Sequence, residues 1–139
     1  MILDITAAIS IALDEKFGCA VHTAAAEQGI EPPCFTITVV DAESDPLLNT
    51  RANRIYNFDV TYISKSGAYT EMYGIADKMF AALNTVTTPD GTRLQAYDMR
   101  YELVDGELHF FVKYQLTVTE HRDTEKIESY SLNDRIGGM

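Results

Sequence analysis

The segment from Tyr97 to Thr119 has the pattern of a long β-hairpin and constrains the fold more than any other part of the chain. Two runs of alternating apolar and polar residues flank Asp105-Gly106, which suits the central positions of a type I′ turn. That turn predicts apolar cross-strand pairs of Leu103 with Leu108, Tyr101 with Phe110, Met99 with Val112, and Tyr97 with Tyr114. The opposite face then pairs Glu102 with His109 and Asp98 with Lys113. A shift of one residue would bury those charges, so the pattern predicts a single register.

Two other segments have the spacing of amphipathic helices. Residues 3–17 carry an apolar stripe that ends before Gly18, and glycine is common just after a helix C-terminus. Residues 71–84 follow Thr70, which suits an N-cap, and carry a second apolar stripe. The stripes contain Ile5, Ile9, Leu13 and Phe17 in the first segment, and Met72, Ile75, Ala76, Met79, Phe80 and Leu83 in the second. Each helix therefore needs a sheet to cover one side of it.

Further strands are predicted over residues 20–24, 34–41 and 52–64 by the alternation of apolar and polar residues. The acidic segment 42–49, which Pro46 interrupts, is predicted to be a loop, and Thr87–Thr92 a connection. This order predicts an α+β fold: a two-layer sandwich with two helices on one face of a mostly antiparallel sheet, and a long C-terminal β-hairpin. We expect one domain over residues 1–119 and a polar C-terminal arm over residues 120–139.

Composition limits the class of protein. With 139 residues, 46% of them hydrophobic, the chain suits a single domain. Acidic residues outnumber basic ones by 21 to 11, and the net charge of -10 argues against the basic surface of a nucleic-acid-binding protein. Cys19 and Cys34 lack metal-ligand spacing and are expected to be reduced and packed. Asp4 stands where a signal peptide carries positive charge, so we expect a cytosolic product without a membrane segment.

The sequence offers little catalytic or metal-binding chemistry. Asp41, Glu43 and Asp45 alternate like the start of a calcium loop, but Pro46 and Ala52 occupy the positions of the required glycine and closing glutamate. We therefore expect an acidic loop and no metal or cofactor. Glu102, His109 and Asp98 on the polar hairpin face have two interpretations, a surface pair, which is favoured, or an acid-base cluster.

Two aromatic residues fall outside the predicted core. Phe111 lies on the polar face of the hairpin beside Arg100, and Tyr69 lies in a predicted turn. Exposed aromatic residues are enriched where subunits meet, so Phe111, Arg100 and Tyr69 are candidate contacts.

Four segments in combination resemble the phage tail terminators found in prophages of Gram-positive bacteria and in phage-tail-like particles. They are the loop and strand Gln28–Phe35, the strand Arg54–Tyr62, the helix Tyr73–Phe80 and the hairpin Val104–Val112. The resemblance covers most of residues 1–119 and implies a structural virion protein without catalysis.

A protein of this family is expected to form a ring, typically a homo-hexamer, on the end of a tail tube. The ring would stop tube polymerisation and provide the attachment surface for the head and neck. The implied partners are further copies of the chain, the tail tube protein, a neck or head-completion protein and, in a contractile tail, the sheath. DNA would pass through without specific binding, the ring would lie at the head-proximal end of the virion tail, and assembly would take place in the host cytoplasm.

Candidate contacts with these partners are the acidic residues Asp41, Glu43 and Asp45 and, in the C-terminal arm, Ile127 and Tyr130. Two alternatives remain open at this stage. One is another neck or head-tail adaptor protein of the virion. The other is a small acidic enzyme that uses Glu102 and His109.

Overall fold

A computed structural model of the protein describes residues 1–23 and 31–119. In chain order, the elements are α1 (Ile2–Phe17), β1 (Ala20–His22), β2 (Cys34–Pro46), β3 (Arg51–Ile63), α2 (Tyr69–Leu83), β4 (Thr85–Thr87), β5 (Arg93–Val104) and β6 (Glu107–Thr119). The strands form one sheet in the order β1-β2-β3-β6-β5-β4. β1 is parallel to β2, whereas β4 with β5 and β5 with β6 are antiparallel, so the sheet is mixed. The expected α+β class is confirmed.

Helix α1 packs against both edge strands of the sheet. Its buried side chains include Ile5, Ile9 and Leu13, from the predicted stripe. The helix ends at Gly18, whose φ of 71° is accessible to glycine and whose N–H donates to the Asp14 carbonyl oxygen at 2.9 Å. α1 contacts β1 and also β4, although these strands are at opposite ends of the sheet order. The sheet therefore curls around this helix.

Helix α2 begins two residues earlier than the sequence pattern predicts. Its N-cap is Ala68, which makes no side-chain cap, so the expected Thr70 cap is wrong. The Glu71 carboxylate organises this end of the helix instead. It accepts hydrogen bonds from Tyr62 at 2.6 Å, Ser64 at 2.8 Å and Ser66 at 2.6 Å, and so fixes the connection from β3 to α2.

The predicted acidic loop is wrong, because β2 continues through this segment to Pro46. Proline is tolerated at a strand end, because its missing N–H interrupts no hydrogen bonds between strands there. Residues 47–50 form the turn, in which Asn49 and Thr50 have positive φ, and the Leu47 N–H donates to the Arg51 carbonyl oxygen at 2.7 Å. The acidic residues of this segment can thus lie in strand β2, because the strand leaves their side chains exposed to solvent.

The described residues form two compact units. The larger comprises residues 1–43 and 54–116, and the smaller comprises residues 44–53 with 117–119 among those described. Within the smaller unit, Thr117 donates to the Asn53 side-chain oxygen at 2.8 Å, and Leu48 is 81% exposed. The predicted polar arm, with Ile127 and Tyr130, lies outside the described residues.

Strands β5 and β6 pair in the register that the alternation predicts, with one correction. Leu103 faces Leu108, Tyr101 faces Phe110, Met99 faces Val112, Glu102 faces His109, and Asp98 faces Lys113. Ala96, not Tyr97, faces Tyr114, because the register shifts between Ala96 and Asp98. Tyr97 is the extra residue of this irregularity and is 60% exposed.

Strand β4 was not expected from the sequence. Its three residues pair with Gln95, Leu94 and Arg93 of β5, and the tight turn that follows is closed by a hydrogen bond from the Thr88 N–H to the Thr92 carbonyl oxygen at 2.8 Å. Three residues are too few to show an alternation. Of the predicted connection Thr87–Thr92, the first residue therefore belongs to a strand.

The core lies between the two helices and one face of the sheet. Its largest fully buried side chains are Tyr114, Phe35, Phe58 and Phe110. Burial of a large apolar side chain stabilises a fold by about 1.5–3 kcal/mol. Alternate residues of β3 and β6 point to the opposite face, and these include Asp59, His109 and Phe111, which are half-buried.

Candidate interaction surfaces

A hydrogen-bonded network surrounds His109 on the sheet face opposite the core. The His109 Nδ1 lies 3.0 Å from an Asp59 carboxylate oxygen and 3.1 Å from the Thr61 hydroxyl. Thr61 donates to Asp59 at 2.9 Å, and the His109 Nε2 lies 3.5 Å from a Glu107 oxygen. The partners of the ring are thus on β3 and at the start of β6. The network joins two neighbouring strands.

Glu102 does not serve as the orienting carboxylate of His109. The two residues face each other across β5 and β6, but the Glu102 carboxylate accepts a 2.8 Å hydrogen bond from Arg100 on its own strand. The β3 residues that contact His109, Asp59 and Thr61, were not singled out from the sequence. Their position on the polar face of β3 was predictable, but the adjacency of β3 and β6 was not.

Arg100 and Phe111 come together on the same face, as their facing positions in the hairpin predict. The Arg100 guanidinium carbon lies 4.3 Å from the centroid of the Phe111 ring. The His109 ring stacks against the same Phe111 ring, with centroids 6.4 Å apart and planes at 18°. A cation over an aromatic face is attracted to the ring. Phe111 is consequently half-buried rather than fully exposed.

Tyr69 is the outer end of an aromatic row. It is the first residue of α2 rather than part of a turn, and it is 56% exposed. Its ring lies 6.5 Å from that of Tyr73, which lies 6.5 Å from that of Tyr101. Phe80 connects Tyr101 to the core residue Phe110, with centroid distances of 5.9 and 5.0 Å. The aromatic row Tyr69, Tyr73, Tyr101, Phe80 and Phe110 thus leads from an exposed surface into the core.

The acidic residues Asp41, Glu43 and Asp45 occupy alternate positions of β2 and therefore share one side of this strand. Alternate residues of a strand are separated by about 6–7 Å. All residues of β2 from Thr38 onwards are exposed. Asp41 and Glu43, both in the larger unit, thus form an exposed acidic row on a strand, and Asp45 of the smaller unit follows on the same strand.

Among the described residues, most of one edge of strand β2 is uncovered. β1 pairs with it only at Cys34–Thr36, and no other strand of residues 1–23 and 31–119 lies on that side. At the other end of the sheet, β4 is also an edge strand. A groove of about 410 Å³ runs beside β4, and its lining includes Ala8, Ile11, Ala12, Val86, Glu15 and Lys16.

The described residues provide little for catalysis or metal binding. They contain no group of three or more His, Cys, Asp or Glu side chains that could hold a metal ion. Burial raises the pKa of the Cys34 thiol, which disfavours the thiolate form that a nucleophile needs. Neither α1 nor α2 is long and apolar enough to cross a membrane.

A family model described as "Phage tail terminator protein" matches residues 4–126. The chain belongs to this family. The fold of the tail terminator is similar to that of a chain in the solved structure "Virion of native gene transfer agent (GTA) particle", with a TM-score of 0.59 and 14% identity. The similarity covers 86% of the terminator and 97% of that chain. A comparison with curated proteins gave no match.

Membership confirms the resemblance that the four sequence segments indicated and supports a structural role in a phage tail. Membership also suggests one kind of use for the exposed surfaces of this tail terminator, namely contact with other structural proteins. The Arg100–Phe111 pair, the aromatic row, the acidic row of β2 and the two sheet edges are all features that a protein with several structural partners can use. The origin in a Gram-positive prophage stays a prediction.

Proposed function

We propose that this protein caps the end of the phage tail tube as a ring of identical subunits, stops tube polymerisation and provides the surface to which the head or neck attaches. The observation that carries the proposal is the family match over residues 4–126. A closed ring requires contact between two different surfaces of the same subunit. The edges of β2 and β4 that no described strand covers, at different positions in the sheet, are suited to this requirement.

The proposed partners are about five further copies in a sixfold ring, the tail tube protein and a neck or head-completion protein. In a contractile tail, the sheath would be a further neighbour. The ring would lie at the head-proximal end of the tail after assembly in the host cytoplasm. Arg100, Phe111, Tyr69 and the acidic residues of β2 are the described candidates for these contacts, and Ile127 and Tyr130 are candidates outside the described residues.

DNA would pass through the ring without specific binding. The net charge of -10 supports this part of the proposal, because a negatively charged wall repels the phosphate backbone and lets DNA slide. The acidic row of β2 adds closely spaced negative charge to one exposed strand.

A structural role also explains the polar groups around His109 better than catalysis does. Asp59 and Thr61 hold the ring from β3, and Phe111 stacks against it, so the group links strands. The enzymatic hypothesis needed Glu102 as the partner of His109, and Glu102 is bonded to Arg100. We therefore propose that the protein is not an enzyme.

The decisive experiment measures tube length. The tail tube protein of the same particle is polymerised in increasing amounts of this protein, and the lengths are measured by negative-stain electron microscopy. A terminator gives shorter tubes at higher concentration, and it is visible as a cap at one end of each tube. A neck or head-tail adaptor, the rival hypothesis, leaves tube length unchanged and binds components on the head side.

A further inference from the structure

We propose that the uncovered edge of β2 in one subunit pairs with the edge strand β4 of a second copy of this chain. The inference rests on the proposed ring and names the two surfaces that meet in it. The two edges are at different places in the sheet, and they differ in charge. Contact between unlike surfaces repeats from one subunit to the next, and this repetition can close a ring.

The β2 edge is long, and the described residues leave most of it unpaired. Beyond Thr36 it extends from Ile37 to Glu43 within the larger unit, and the described residues place no strand beside it. Val39 and Val40 on this stretch are 39% and 48% exposed. An edge strand presents backbone N–H and C=O groups that can bond to another strand. Such an edge with exposed valines is suited to a strand partner.

The charges on this edge select against a symmetric dimer. Asp41 and Glu43 share one side of β2. If two β2 edges paired with each other, carboxylates would lie beside carboxylates, and like charges across two strands destabilise the pair. The acidic side chains therefore favour a partner edge that is neutral or bordered by positive charge.

Strand β4 offers such an edge. Its residues are Thr85, Val86 and Thr87, all uncharged, and only one side of the strand pairs with β5. Lys16 and Glu15 of α1 line the groove beside the strand, so the two side chains cancel and this edge carries no net charge.

The groove beside β4 can accommodate the side chains of a strand that is added to this edge. Val86 is 2% exposed and points into the core, and Ala8, Ile11 and Ala12 of α1 form the wall next to it. A strand that extended the sheet beyond β4 would place alternate side chains over this wall. Val39 would contact apolar surface there, and Asp41 and Glu43 would come close to Lys16.

A charge exchange tests the contact. One variant carries Asp41→Lys and Glu43→Lys, a second carries Lys16→Glu, and a third carries all three changes. The control carries Asp4→Lys and Asp77→Lys, exposed carboxylates on α1 and α2 that lie on neither edge. Native mass spectrometry and imaging of tube ends measure ring formation on tubes of the tail tube protein, and thermal melting checks that every variant is folded.

We expect each edge variant alone to reduce ring formation by about tenfold, because like charges then face each other. The control should match the wild type, and the combined variant should recover most of the loss, since opposite charges face each other again. Wild-type behaviour of both edge variants would overturn this contact while the proposed function stands. Loss in the single variants without recovery in the combined variant would also overturn it. A wild-type protein that forms no ring and leaves tube length unchanged would contradict both proposals.

Discussion

The hydroxyl of Tyr114 donates a 2.7 Å hydrogen bond to the backbone carbonyl oxygen of Leu83. Leu83 is the last residue of α2, where carbonyl groups lack partners within the helix, and Tyr114 is a fully buried residue of β6. Burial raises the pKa of Tyr114, so the hydroxyl keeps its proton and remains a donor. One bond thus joins the end of a helix to the centre of the sheet.

Tyr114→Phe should lower the free energy of unfolding by about 1–2 kcal/mol, because the Leu83 carbonyl loses its partner in a buried site. Urea denaturation measures this difference. Tyr56→Phe is the matched control, since Tyr56 is 4% exposed and the described residues give its hydroxyl no hydrogen bond. Equal losses in the two variants would contradict this role of the Tyr114 hydroxyl.

Glu71 should make the stability depend on pH. Hydrogen bonds from Ser66, Tyr62 and Ser64 lower the pKa of the Glu71 carboxyl in the folded protein. A carboxyl whose pKa is lowered by folding stabilises the protein above its unfolded pKa, and this contribution disappears as the pH falls through the folded pKa.

Glu71→Gln should therefore lower the free energy of unfolding at pH 7 by about 1 kcal/mol or less, since the site is partly exposed. The difference between wild type and variant should shrink as the pH falls below 4.5, the ordinary value for this group. Denaturation curves at several pH values, compared as differences between the two proteins, isolate Glu71 from the other acidic residues. A difference that stays constant with pH would contradict this assignment.

Substitution of two glycines by alanine should change the stability of the protein in opposite directions. Gly106 has a φ of 77° in the hairpin turn, and an alanine with this conformation costs about 1–2 kcal/mol. Gly74 lies within α2 with no positive φ and no atom within 4 Å of an added Cβ. Gly74→Ala should therefore stabilise the protein by up to about 1 kcal/mol. Thermal melting of Gly106→Ala and Gly74→Ala tests the pair, and shifts of the same sign would contradict the prediction.

Tyr69→Ser should weaken assembly on tubes more than it lowers the melting temperature. Tyr69 adjoins Tyr73, and together they form a continuous exposed patch, the kind of surface that marks interaction sites. Tyr97→Ser is the control, because Tyr97 is 60% exposed but belongs to no such row. Co-sedimentation with tubes gives the apparent affinity. If both variants bind equally well, the aromatic row is not a contact.

The hairpin was predictable because its turn and alternation specify the same register. Five of its residue pairs, among them Leu103 with Leu108, follow from these two signals. The irregularity at Tyr97 does not, since Tyr97 continues the alternation of Met99, Tyr101 and Leu103, whereas Ala96, the residue that faces Tyr114, is out of phase with it.

The second half of β2 was not predictable because it buries nothing. From Thr38 onwards its residues are exposed, so the apolar alternation that identifies a strand fades after Val40. Strand β4 escaped detection for a different reason, its length of three residues. Arg100 and Phe111 could be paired from the hairpin alone, whereas the aromatic row and the neighbours of His109 depend on contacts between elements distant in sequence.

The most direct test of the ring-shaped cap is native mass spectrometry of the protein with short tubes of the tail tube protein, combined with images of the tube ends. We predict a closed ring of about six copies at one end of each tube. Protein that stays monomeric in the presence of tubes, or that binds along their sides without occupying an end, would contradict it.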